Sequence, residues 1–406
     1  MKQSGQILLG VSGGIAAYKA AELARLLVKN GWSVIPSMTR TATEFMGTLT
    51  LASITEHEVH IDVGDHSPMD HIRTVRSSDL LLVAPATAHT IAKFAHGQAD
   101  DFLSAAYLAH KGPSLICPSM NTAMWHHPAT QRNLSMLRDD GVLICPPDSG
   151  ELACGEWGDG RLAEAETILE YVAYSLSPKH PTLQGKKVVV SAGPTCEDLD
   201  PVRFLSNRST GLMGFAIARA LWCAGAEVVL VSGPTHLRVP AGVQMVKVRS
   251  AAEMAEAVHG HRNGAASVIM NAAVADYRPA YHPHKLKKDS FNGVLALNRT
   301  EDILATLGKD KNGCLLIGFA AETEDGIVNG RKKLIHKNCD GVVVNRVGIA
   351  GQGFESDTNQ GTLIWRDGRE IPLPMASKQD FANLLVTEIG DFMHDLAGIP
   401  NRDMAQ

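Results

Sequence analysis

The chain has 406 residues, 45% of them hydrophobic and 20% charged, enough for two or three ordinary domains and unlike a disordered chain. Lys and Arg number 38 against 43 Asp and Glu, a net charge of −5, which argues against a broad electrostatic grip on nucleic acid or an anionic membrane. No apolar run approaches the ~20 residues of a membrane helix, and the opening MKQSGQILLG lacks the parts of a secretory signal. Seven cysteines without a C-x-x-C pair read as reduced thiols rather than a disulfide framework or a zinc site, so the expected location is the cytoplasm.

Residues 6–10 read as a buried strand, 15–30 as a helix and 33–37 as a second strand. DLLLVA at 79–84 is a further strand with a helical stretch after it through 93, and 114–118 and 142–146 are strands again. Strands alternating with helices imply βαβ units and a mostly parallel sheet. Continuous apolar runs fit a sheet covered on both faces. A helix near 163–176 precedes SPKHPT at 177–182, polar with two prolines, which reads as an interdomain linker. The pattern then restarts with strands at 187–190, 228–231, 267–270, 314–317 and 341–344. Asp367-Gly368 between apolar runs predicts a hairpin, and 379–396 a closing helix. The expectation is two α/β domains, residues 1–180 and 185–406.

Gly10-Val11-Ser12-Gly13-Gly14-Ile15 lies where the first strand turns into a helix. Bare backbone and a Ser12 hydroxyl donor suit a phosphate there, and a tight βα turn explains the glycines equally well. The run is neither G-x-G-x-x-G nor a Walker A loop, which disfavours a generic NAD dehydrogenase. Thr39, Ala86 and Thr87, and the run from Pro118 to Trp125 all follow strands, at the carboxyl ends where open α/β sheets bind ligands. Asn121 has the donor and acceptor to orient a carboxylate, or it caps a helix. Met120 reads as pocket wall. Cys154 sits in a loop with four glycines among residues 150–161; as a lid the loop would let its thiol deliver a proton, and otherwise the thiol is incidental. His71 stands alone, and a lone histidine is more often packing or surface than catalytic. His57-Glu58-Val59-His60 is one residue short of a zinc-binding H-E-x-x-H.

In the second half, Ser191-Ala192-Gly193-Pro194-Thr195 follows a strand, and the segment from Asp200 to Gly211 leads into a helix whose start suits nucleotide phosphates. Lys285, Lys287 and Lys288, and the i, i+4 pair Lys333 and Lys337, supply cations or are merely solvated. The run from Asn271 to Asp276 also follows a strand, and Asp276 suits a ribose, a base or a metal.

Taken together, GVSGGIAAYK, APAT, PSMNTAMW and ACG, followed by SAGPT, DPVRFLSN, AAVADYRP, KLKK and GFAAET, resemble the bifunctional coenzyme A biosynthesis flavoproteins. These are phosphopantothenoylcysteine decarboxylases fused to phosphopantothenate–cysteine ligases, and the likeness runs along nearly the whole chain. It implies a flavodoxin-like, parallel-sheet FMN domain followed by a Rossmann-like α/β ligase domain. The ligase would activate 4′-phosphopantothenate with CTP and Mg²⁺ and transfer the acyl group to the amine of L-cysteine. The decarboxylase would use FMN to oxidise the cysteinyl side chain, release carbon dioxide and take the electrons back, giving 4′-phosphopantetheine.

Matched residue by residue, the resemblance makes His71 the base, Asn121 the holder of the substrate carboxylate and Cys154 the final proton donor. Ser12, Gly13, Thr39, Ala86, Thr87 and Met120 would hold FMN. In the ligase Asn207, with Arg203 nearby and Lys285, would handle the acyl cytidylate. Asn271, Ala272, Asp276, Lys285, Asp302, Ile303, Phe319, Lys333 and Lys337 would bind CTP. The partners implied are small molecules, neither nucleic acid nor membrane, and a homo-oligomer: trimers through one domain and dimers through the other, hence a dodecamer.

The chain departs from the family pattern at Leu212, where a lysine is usual, and at Cys196 and Arg346. Losing one charge-assisted hydrogen bond at Leu212 costs about 1.5–3 kcal/mol, so a decarboxylase with a weakened ligase half is one alternative. A flavin-binding regulatory subunit is another, opposed by the joint presence of His71, Asn121 and Cys154.

Overall fold

The computed structural model describes residues 5–63, 70–153, 155–287, 294–322, 325–346, 356–396 and 398, with Asp70, His71 and Arg346 described by backbone alone. They fall into two compact units, Met1–Ser177 and Pro178–Gln406.

In the first unit β1 (Gln6–Val11) passes through a 3₁₀ turn (Ile15–Tyr18) into α1 (Lys19–Lys29). Next come β2 (Ser33–Met38), α2 (Ala42–Phe45), α3 (Thr48–Thr55) and α4 (Asp70–Ser77), then β3 (Leu80–Ala86), α5 (Ala88–Ala95) and α6 (Phe102–Ala109). The unit continues with β4 (Ser114–Pro118), α7 (Thr122–His126), α8 (Pro128–Asp139), β5 (Leu143–Ile144), β6 (Asp148–Glu151), β7 (Trp157–Arg161) and α9 (Ala165–Leu176). Five parallel strands run in the order β2-β1-β3-β4-β5. This is the flavodoxin-like order, whose switch point lies between β1 and β3.

Successive residues of a strand face opposite sides, so Ile7, Leu9 and Val11 enter one core layer and Leu8 the other. Every residue of β3 is buried, as its unbroken apolar run predicts. Helix α1 turns Ala20, Leu23, Ala24 and Leu27 onto the sheet, each leucine contributing about 1.5–3 kcal/mol by burial. Helix α6 starts at a reciprocal cap between Asp101 and Ser104, which satisfies donors the helix itself leaves open. Two expectations change. The helix read over 15–30 begins as the 3₁₀ turn, and the glycine-rich loop is the antiparallel hairpin β6–β7.

The second unit holds β8 (Lys187–Ala192), β9 (Cys196–Asp198), β10 (Phe204–Ser206), α10 (Leu212–Cys223), β11 (Glu227–Ser232) and β12 (Gln244–Lys247). It continues with α11 (Ala251–His261), β13 (Ser267–Met270), β14 (Tyr277–Pro279), β15 (Leu297–Arg299), α12 (Ile303–Lys309) and β16 (Leu315–Glu322). Helix α13 (Gly326–His336), β17 (Gly341–Arg346), β18 (Thr358–Trp365), β19 (Glu370–Ser377) and α14 (Lys378–Leu396) complete it. Its sheet runs β12-β11-β8-β13-β16-β17-β18-β19. The strands from β12 to β17 are parallel, the Rossmann-like order 3-2-1-4-5-6, and β18 and β19 add antiparallel.

The predicted Asp367-Gly368 turn joins β18 to β19, with Gly368 at φ +96°, a conformation that favours glycine. Residues 180–182 are tied to this unit's last helix. The Thr182 hydroxyl donates to the Gly390 carbonyl at 2.8 Å, and a Cβ at Gly390 would stand 2.6 Å from the His180 ring. Among the described residues no helix is long and apolar enough to cross a membrane.

Candidate functional site

A cleft of about 570 Å³ opens at the carboxyl ends of β1, β3 and β4 in the first unit. Gly13, Thr87, Met120 and Asn121 line it together with the hairpin residues Glu151 and Leu152. The cradle depends on missing side chains. A Cβ at Gly13 would stand 2.5 Å from Thr41 Cβ, so that turn and the segment after β2 approach as bare backbone. Thr39 and Thr87 also share a second hollow of about 450 Å³ with Gly13 and Arg40. Glycine turns, threonines and an apolar wall at a switch point fit a planar ring bearing a phosphorylated tail, the shape of a flavin.

Ser12 follows β1 directly. Its side chain is fully buried, donates to the Pro85 carbonyl at 2.8 Å and accepts the Thr87 N–H at 2.8 Å. The hydroxyl clamps the end of β1 to the end of β3, and its one proton goes to the Pro85 carbonyl. Ala86 is likewise buried and reaches a ligand only through backbone. Thr87 caps α5 by accepting the Thr90 N–H. The cap reading of Asn121 holds. Its Oδ1 caps α7 by accepting the Ala123 N–H at 2.8 Å, and its Nδ2 donates to the Glu156 carboxylate at 2.7 Å. Glu156 belongs to the turn of the β6–β7 hairpin, closed by the Leu152 N–H on the Glu156 carbonyl at 2.8 Å.

Cys154 lies outside the described residues. His71 is placed only as the second residue of α4. Sequence reasoning missed Lys19, which also lines the cleft; a lysine opening a helix gives no signal of burial.

In the second unit the predicted residues form two linked groups. Asn207 donates to the carbonyls of Ala273 (3.0 Å) and Val274 (3.3 Å), which bends the segment after β13 toward the start of α10. The Ala272 N–H donates to Ser191 Oγ at 3.1 Å, and a Cβ at Gly214 would stand 3.1 Å from Asn271 Oδ1. Asp276 is exposed and its carbonyl accepts the Thr300 N–H at 3.0 Å, which carries the chain to the second group. There Asp302 caps α12 by accepting the Ala305 N–H at 2.9 Å and pairs with Lys337. Burial alone would raise the Asp302 carboxyl; the Lys337 hydrogen bond and the cap hold it below its usual range.

Lys333 donates to the Phe319 carbonyl at 2.6 Å, and burial pushes its ammonium down from the ordinary lysine value. These lysines are therefore engaged, not loose surface cations. Ile303 is 3% exposed and packs in the core, so it offers a ligand only its backbone. Arg203 forks onto the buried Asp200 at 3.0 and 2.5 Å and donates to the Leu286 carbonyl at 2.9 Å. It thereby holds the chain next to the exposed Lys285. Its hydrogen bonds hold the Asp200 carboxyl far below the ordinary range.

Two open α/β sheets, the first with a cleft of flavin size and shape at its carboxyl edge, define a two-part flavoprotein. A family model described as Flavoprotein matches residues 1–177, and one described as DNA/pantothenate metabolism flavoprotein C-terminal domain matches residues 183–393. The chain is 44% identical over 400 residues to the coenzyme A biosynthesis bifunctional protein CoaBC of Bacillus subtilis, covering 96% of this chain and 97% of that one. It is 42% identical over 395 residues to the protein of the same description from Vibrio cholerae, covering 96% and 98%. A crystal structure of the C-terminal domain of such a protein is 45% identical, with a TM-score of 0.46 over 53% of this chain and 98% of that chain.

By the family models and the full-length relatives, the chain belongs to the bifunctional coenzyme A biosynthesis flavoproteins. It is an enzyme of coenzyme A biosynthesis with a flavin-bearing decarboxylase half and a ligase half.

Proposed function

We propose that residues 1–180 bind FMN in the 570 Å³ cleft and convert 4′-phosphopantothenoylcysteine to 4′-phosphopantetheine. Residues 185–406 first make that substrate by joining 4′-phosphopantothenate to L-cysteine through an acyl cytidylate formed from CTP. The observation that carries the decarboxylase reading is the 2.7 Å hydrogen bond from Asn121 to the Glu156 carboxylate at the cleft. Asn121 already grips a carboxylate there, and the substrate's own would take the place of Glu156. FMN when bound supplies a reversible two-electron sink. His71 takes up a proton as the cysteinyl group is oxidised, Asn121 aligns the carboxylate that leaves as carbon dioxide, and Cys154 returns a proton at the end. Gly13, Thr39, Thr87, Met120 and the backbone of Ala86 hold the cofactor.

In the ligase Asn207, Arg203 and Lys285 act at the acyl cytidylate, and Asn271, Ala272, Asp276, Asp302, Phe319, Lys333 and Lys337 with the backbone of Ile303 receive CTP. Among the described residues no group of three His, Cys, Asp or Glu forms a metal cage. Mg²⁺ would arrive on the triphosphate and keep most of its ligands there. The protein works in the cytoplasm as a homo-oligomer, a dodecamer by the family pattern.

The test is purified protein with FMN, Mg²⁺, CTP, 4′-phosphopantothenate and cysteine. Pyrophosphate, carbon dioxide and 4′-phosphopantetheine are expected together. Pyrophosphate without amide places a fault after activation, and no pyrophosphate refutes the ligase assignment. Cys154→Ser should still release carbon dioxide yet stall before the last reduction; full turnover by that variant refutes the role given to Cys154.

A further inference from the structure

Lys19 opens α1 and lines the cleft beside Pro85, Arg161 and Leu162. Its side chain is 20% exposed, yet Nζ is sealed from solvent and among the described residues has no hydrogen-bond partner. Glu164 stands 3.7 Å away, beyond hydrogen-bond reach, and its Oε1 already accepts from Arg161 Nη2 at 2.5 Å. Lys93 shows the contrast: its ammonium meets Asp100 at 2.7 Å and Asp101 at 2.9 Å. A buried ammonium without hydrogen bonds is costly, and such a cost is offset when negative charge comes to lie in the cleft that this lysine lines.

We propose that Lys19 is the cation that receives negative charge in the decarboxylase cleft, carried either by the flavin ring when reduced or by the substrate carboxylate. The inference rests on assigning this cleft to the flavin. A fixed positive charge in a site of low dielectric favours whichever partner state is anionic. Glu164 opposes that effect as the nearby counter-charge, so removing it has the opposite sign. Lys19 touches the cleft without a proton to exchange in the scheme above, so its part is electrostatic.

The experiment uses full-length protein loaded with FMN, as wild type, Lys19→Met, Lys19→Arg and Glu164→Gln. The readouts are FMN affinity, the two-electron midpoint potential, and binding of two probes seen through flavin absorbance: S-methyl 4′-phosphopantothenoylcysteine, which has the carboxylate, and S-methyl 4′-phosphopantetheine, which lacks it. If the charge is the flavin's, Lys19→Met disfavours reduction at least tenfold, about 30 mV for a two-electron couple. Lys19→Arg then stays near wild type and Glu164→Gln shifts the potential upward. If the charge is the substrate's, the potential stays put and Lys19→Met loses at least tenfold in preference for the carboxylate probe. Unchanged potential and unchanged preference overturn the proposal. Should Lys19→Met fail to fold, Glu164→Gln decides by the same two readouts. Gly13→Val separates the underlying assignment: a variant that still binds FMN normally refutes the cleft, whereas loss of FMN there with a silent Lys19→Met refutes Lys19 alone.

Discussion

Ser12→Ala tests whether the flavin cleft is held open by a clamp rather than by the ligand it receives. The hydroxyl makes two bonds of 2.8 Å, to the Pro85 carbonyl and from the Thr87 N–H. Pro85 keeps another donor, because the Ser12 N–H reaches the same carbonyl at 3.1 Å, so its loss is one ordinary bond of about 0.5–1.5 kcal/mol. Thr87 loses its acceptor in a part-buried place, leaving an orphaned donor at about 1–3 kcal/mol. The sum is roughly 1.5–4.5 kcal/mol of local stability at the carboxyl ends of β1 and β3. Hydrogen exchange read by mass spectrometry on peptides covering 6–18 and 80–95 reports this directly. At 1.4 kcal/mol per tenfold, exchange should speed up by roughly 10- to 1,500-fold, with peptides of the ligase unit unchanged. An acceleration below about threefold would show that the hydroxyl is not a clamp.

Other outcomes follow from single contacts. Gly160 has φ +124° and its Cβ would lie 2.2 Å from the Met120 carbonyl oxygen, so Gly160→Ala should cost about 1–3 kcal/mol and lower the melting temperature of the flavin unit by several degrees in calorimetry. Arg203→Met leaves the buried Asp200 carboxylate with backbone donors but no cation and frees the Leu286 carbonyl. The Asp200 carboxyl should then titrate nearer the ordinary range, and limited proteolysis should cut near Lys285 faster than in the wild type.

The folded Asp302 carboxyl titrates below its unfolded value because Lys337 and the helix cap outweigh burial. Its stabilisation is therefore complete above the ordinary carboxylate range and fades as pH falls through the lowered folded value. Lys337→Met should move the acid unfolding midpoint of the ligase unit upward, measured by circular dichroism against pH.

The parallel sheets were legible because strands such as Leu80–Ala86 are apolar at every position, and a two-sided burial leaves that mark in any sequence. The hairpin β6–β7 was not. With sequences DSGE and WGDGR it has almost no apolar alternation, and its glycines read as loop. The short pairs β9–β10 and β14–β15, three residues per strand, fall below the length at which periodicity carries information. For the site, type and position along a strand end pointed to the right neighbourhood, while orientation stayed hidden. Ser12 was read as facing a ligand, and only the Pro85 carbonyl beside it turns the hydroxyl inward. Lys333 and Lys337 share a helix face in sequence, yet what each grips comes from β16 and α12, far along the chain.

The thiols have a practical consequence. Five of the six cysteines among the described residues, Cys117, Cys145, Cys196, Cys314 and Cys339, are buried, and Cys223 is intermediate. Burial pushes the Cys117 thiol well up, that of Cys314 up and that of Cys339 to about 11, so these sulfurs stay protonated and shielded. A maleimide added to the native enzyme therefore finds these three sulfurs closed to it, with Cys223 the most open of the six.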